Sequence, residues 1–330
     1  MRAVERLGDG AVNEPHRIDH WDALGRSVRF AWKHKVLWIL GFFASVSGQN
    51  LLSWVQEEEP PFLHGRLFPR LEVVAAVVAV LVLVWIGLVV LNTIARAGLI
   101  ASSAEADRGG SPAFERAIGT GIRAFLGMFA LLIVGAVLGV AGTLVCAVPV
   151  VLPLAAGAPG IVIAVLIGAI LFLPYLAFVF ALTFTITFAE RALVVDRMSI
   201  LDSLAAGWRL ARARYLTALV AWLVALLAGI VYGVGLVLAL VVLAVPLVFV
   251  WFANKALALI LGIPLLVIVV FPATGAYGTF IYAFWTLQYL RLRGPEAAAD
   301  GARGGAGPAA PPGGAETPSG PREDLLAGSI

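Results

Sequence analysis

The sequence predicts an all-α polytopic membrane protein, with about six transmembrane helices, short amphipathic interfacial helices, and both termini in the cytoplasm. Three observations carry that expectation. Apolar residues make up 61% of the chain and charged residues only 13%, against about 45–50% and about 25% in soluble domains. Two uncharged runs, 66 residues at 124–189 and 40 at 215–254, each exceed the roughly 20 residues that cross a hydrocarbon core as a helix. Lys and Arg, finally, crowd into alternate loops, as the positive-inside rule requires. The short alternating segments of a transmembrane β-barrel are absent.

Residues 1–18 are polar and of mixed charge, with Gly8, Gly10 and Pro15, and read as a flexible leader. Asp19 is placed to cap a helix, with Asp22 at the favourable end of its dipole. Trp21, Leu24, Val28, Ala31 and Trp32 then recur at helical spacing while Arg26, Arg29 and Lys33 take the other face. This predicts an interfacial helix near 19–35. The first span is expected near 36–55. Ser47, Gly48, Gln49 and Asn50 weaken it, leaving a broken or re-entrant segment as the alternative. The polar region before it, 35 residues long, far exceeds the n-region of a signal peptide, so it reads as a span and not a cleaved leader. Glu57–Glu59 and two prolines open the loop that follows.

Residues 73–95 form the clearest span, ending at Arg96, with Asn92 and Thr93 placed to bond a neighbouring helix. Ser111 as cap and Pro112 at the first helical position start a second interfacial helix, near 111–123. The 66-residue run must hold two spans, near 124–148 and 161–189, turned around Pro149, Pro153, Gly157, Pro159 and Gly160. Pro174 predicts a kink in the second. Glu190–Met198 then reads as a turn, and Ser199–Arg214 as a third interfacial helix. The last two spans, near 215–250 and 256–290, meet close to Lys255, with Pro246, Pro264 and Pro272 as kinks. Residues 294–330, rich in Gly, Ala and Pro, read as a disordered cytoplasmic tail.

Six spans place both termini on one side. That side carries 20 Lys and Arg, whereas the other has only Arg66, Arg70 and Lys255. The split orients the termini to the cytoplasm, and the expected location is the inner (plasma) membrane. It also explains a pI near 9.2 without nucleic acid, since Arg at the edges of membrane helices accounts for it.

Aligning Asp19 with Ser199 matches Asp22 with Asp202, Leu24 with Leu204, Arg29 with Arg209 and Ala31 with Ala211, without gaps. Each copy has a cap, an acid three residues later, an apolar face and a basic end that leads into a span. The helix at Ser111 is a looser third copy. Glu190-Arg-Ala-Leu-Val-Val-Asp196, followed by Asp202-Ser-Leu-Ala-Ala-Gly-Trp208-Arg-Leu, resembles the signature of bacterial proteins that carry the glycerophosphoryl diester phosphodiesterase membrane domain. Trp32-Lys-His-Lys35-Val-Leu-Trp38-Ile-Leu-Gly41 is similar to the opening of stand-alone relatives. The resemblance covers roughly residues 19–293. It implies a six-helix membrane domain, here without the catalytic hydrolase domain, and it brings no catalytic residues.

The residues themselves offer little chemistry. His16, His20, His34 and His64 all lie outside the spans, and His16 and His20 would straddle a cap instead of sharing a helix face. One cysteine, Cys146, excludes a disulfide framework or a cysteine metal cluster. No phosphate loop, paired-His zinc motif or nucleophile elbow occurs. Glu190, Asp196 and Asp202 are the only acids grouped at one interface, and caps and Arg partners account for them. The expectation is therefore a non-enzymatic protein without cofactor or metal, acting in membrane organisation, lipid handling or support of a partner enzyme. Its partners are membrane lipids, with a membrane protein or a second copy as further candidates. Arg29, Lys33, Lys35, Arg209, Arg212 and Arg214 are the expected contacts to anionic lipid headgroups. The alternative is a transporter or channel for a small or amphiphilic solute, although residues 124–189 and 215–254 lack the ionisable groups that coupled carriers use.

Overall fold

The computed structural model describes residues 20–45 and 71–304. The leader, residues 46–55 of the first expected span, the Glu57–Glu59 loop and residues 305–330 lie outside the described residues. Within them the fold is all-helical, without a strand. The helices are α1 (His20–Lys33), α2 (Trp38–Ser45), α3 (Leu71–Asp107), α4 (Phe114–Val151), α5 (Ala158–Val195), α6 (Ile200–Ala213), α7 (Tyr215–Ala253) and α8 (Lys255–Gly304). Five of them, α3, α4, α5, α7 and α8, are long and apolar enough to cross a membrane. This is an integral, multi-pass membrane protein. α2, with its preceding turn, is a short apolar helix that ends at Ser45, the last described residue before 71.

Three local expectations are corrected. The segment 111–123 is no separate interfacial helix. No breaker separates its turns from the apolar run, so it is the start of α4, and Ala113 rather than Ser111 stands at the cap. α3 does not end at Arg96 but runs on through Ala97-Gly-Leu-Ile to Asp107. α5 likewise continues through Glu190 and Arg191 to Val195, so the predicted turn shrinks to a few residues. Arg197 adopts a left-handed φ of 53° there, and the Met198 N–H bonds the Ala192 carbonyl at 3.5 Å. Such a closure satisfies carbonyls at a helix end. At the other termini the sequence acts directly. Ser199 Oγ accepts from the Asp202 N–H to cap α6. Gly157, at φ 72°, turns the chain from α4 into α5. Asn254 alone separates α7 from α8, its Oδ1 accepting from the Leu257 N–H. Helix also extends through residues 295–304, past a break at Gly294, where a disordered tail is expected.

The core gathers at one end of the bundle, the end that carries the charges. There α3 contributes Ala95–Ile100, α4 Ala117 and Met128, α5 Phe184–Leu193, and α8 Phe280–Leu292. Each amphipathic segment packs on the charged end of a long helix: α1 on α8, the first turns of α4 on α3, and α6 on α5. Close approach is set by small residues. A Cβ on Gly121 would lie 2.3 Å from the Ile94 carbonyl oxygen, and one on Gly207 2.4 Å from that of Thr185. α1 buries Ala23, Ser27 and Ala31, and α6 buries Ser203, Gly207 and Ala211. These are the same three positions in the alignment of Asp19 with Ser199.

Candidate functional site at the charged end of the bundle

Because α3 and α5 run past the ends of their apolar stretches, they carry Arg96, Glu190 and Arg191 into the packed core. Arg96 Nη2 donates to Glu190 Oε1, and Arg191 Nη1 stands 3.5 Å from Glu190 Oε2 while also donating to the Thr187 carbonyl. The Arg96 guanidinium lies 5.9 Å from the centroid of the Tyr282 ring on α8. A second group joins the end of α5 to α8. Arg293 donates to one oxygen of Asp196 and Tyr289 OH to the other, the latter at 2.5 Å. The two groups hold three guanidiniums against two carboxylates, one positive charge in excess. Uncompensated charge away from water is costly. Arg96 Nε and Arg191 Nε are, moreover, buried with no hydrogen-bond partner, as are both side-chain polar atoms of Gln288.

Exposure is divided unevenly within the first group. The side chains of Glu190 and Arg191 are 7% and 3% exposed, that of Arg96 25%. Arg96 and Glu190 close one end of a groove of about 660 Å³ between α4 and α5. Gly135, Gly139, Leu182 and Ile186 form its apolar walls, and Leu132 and Leu144 on its rim are exposed.

The six expected lipid contacts are all exposed, and none forms an ion pair with a described residue. Arg29 and Lys33 come together in a cavity of about 350 Å³ with His34, Ser103 and Arg26, whose guanidinium is paired with Asp107. Burial first, and then the charge of Lys33, lowers the His34 pKa below its usual 6.5. Lys35 stands over the exposed Trp32 ring at 5.6 Å. Arg209, Arg212 and Arg214 line α6 and its end, beside the exposed Trp208.

Sequence reasoning missed the buried network. A signal for it exists: apolar residues resume directly after both Arg96 and Glu190-Arg191, where a helix leaving the membrane would turn polar. The three acids grouped at this interface are all committed, Glu190 and Asp196 to arginines and Asp202 to the cap with Ser199. Among the described residues no group of three His, Cys, Asp or Glu is placed to hold a metal ion; His16 lies outside them. No protein-family model, curated protein or solved structure matches this chain.

Proposed function

We propose that this is a non-enzymatic protein of the plasma membrane whose charged end docks onto anionic lipid headgroups, serving membrane organisation, lipid handling or a partner enzyme. The observation that carries the reading is the pair of small amphipathic helices with exposed basic residues, Arg29, Lys33 and Lys35 at and just after α1 and Arg209, Arg212 and Arg214 at α6. Each pairs its cations with an exposed tryptophan, Trp32 or Trp208, the combination favoured in the headgroup layer. Kinship with the phosphodiesterase membrane domain belongs to the same reading and rests on the Glu190–Asp196 and Asp202–Leu210 motifs.

The test is retention of lipid by the full-length protein in nanodiscs of mixed phosphatidylcholine and phosphatidylglycerol, read by native mass spectrometry. Phosphatidylglycerol should be enriched around the protein. Neutralising Arg209, Arg212 and Arg214 to Gln should lower the enrichment, at about 1 kcal/mol per cation. Equal retention of both lipids would overturn the reading. Uptake of a small amphiphile by proteoliposomes would favour the transporter instead.

A further inference from the structure

The groove between α4 and α5 differs from the surface just described, because its charge is mostly enclosed and its walls are mainly apolar, interrupted by Thr143, Thr183 and Thr187. Arg96, Arg191 and Glu190 leave one positive charge in excess, and Arg293 already neutralises Asp196, the nearest further acid in the network. The member of the group that reaches the groove most openly is the cation Arg96, whereas Glu190 and Arg191 are almost wholly enclosed. From Arg96 the groove follows α4 from Leu131 to Leu144, about 20 Å of helix rise. It stays open because residues 135 and 139 are glycine. A Cβ would stand 3.3 Å from Ile186 at the first and 3.7 Å from Leu182 at the second, so any larger side chain would occupy the groove.

We propose that this groove binds one acyl chain of an anionic phospholipid, with the lipid phosphate against the outward edge of the Arg96 guanidinium. A lipid brings the missing anion together with the apolar chain that the walls require. No residue of α1 or α6 takes part, so the site stands or falls separately from the surface docking proposed above.

The experiment uses the full-length protein in nanodiscs with a phosphatidylglycerol probe carrying a diazirine in its acyl chain. Photolabelling followed by peptide mapping should mark 131–144 and 182–187. Arg96→Gln should reduce that labelling about five-fold, equivalent to one lost cation–headgroup contact, and Gly139→Leu should reduce it by filling the groove. Leu182→Trp fills the groove from the opposite wall and should do the same, which covers the case in which one variant fails to fold. Arg209→Gln/Arg212→Gln should leave the labelling unchanged. Equal labelling by a phosphatidylcholine probe of the same chain would overturn the anionic head. Displacement by inorganic phosphate would make this a free-anion site and overturn the lipid. Labelling unaffected by all the groove variants would reduce it to annular lipid.

Discussion

The two ends of the bundle are built on different principles. At the charged end Phe184, Phe188, Phe284 and Gln288 are fully buried, and backbones touch through glycines. At the far end Val242, Phe249 and Phe252 are each more than 70% exposed, and none of the most apolar window of α7 is buried. In water the far end would collapse; in lipid it need not, because a leucine gains little by exchanging acyl chains for another leucine. Specific structure is therefore concentrated where charge pairs and close backbone contacts can hold it. The far end needs only length and apolarity.

That contrast can be broken most sharply at the buried network. Glu190→Gln leaves Arg96 and Arg191 without their shared carboxylate and should cost about 3–5 kcal/mol, seen as a large loss of thermal stability in detergent. The cost should be much smaller for a polar substitution among the lipid-facing residues near Asn254. Next comes Gly41→Val on α2. A Cβ there would lie 2.1 Å from the Gly275 carbonyl oxygen, so α2 must move off α8 at about 1–3 kcal/mol or more. The matched change at the far end, Gly262→Ala, meets only the Leu247 side chain at 3.5 Å, an ordinary contact. It should shift stability by no more than about 1 kcal/mol in either direction, the scale of helix propensity. Equal melting-temperature losses for Gly41→Val and Gly262→Ala would erase the distinction between the ends.

The smallest effect is expected at His34, whose pKa lies below 6.5 because burial, and then Lys33, disfavour its charged form. The folded state thus binds a proton less readily than the unfolded chain. His34 leaves stability unchanged above about pH 6.5 and lowers it as pH falls through that value toward the depressed one. Arg26, Arg29 and Asp107 share its cavity. His34→Gln should flatten this part of the pH–stability profile, and a profile identical to the parent's would remove His34 from it.

Much of this was readable in advance. The uncharged runs gave the long helices, the Ser199-x-x-Asp202 pattern marked the start of α6, and the small, apolar and basic positions of α1 recur in α6 as the alignment pairs them. The pairing inside the buried network was not readable, for a physical reason. Apolar residues that resume after Arg96 and after Glu190-Arg191 mark these charges as enclosed, but they do not say which groups meet. The partner of Arg96 is 94 residues away. Ser111-Pro112 misled for a similar reason: good local capping chemistry loses to a helix whose first turns, at Ala117 and Gly121, pack on α3.

The sequence alone therefore determined the solvent of this protein. Long uncharged segments must form helices in lipid, since no water is there to satisfy the backbone. Only the tertiary structure decided which charges leave the surface. Burying Arg96, Glu190 and Arg191 depends on α3, α5 and α8 meeting at one height, and periodicity within a single helix carries no information about that meeting.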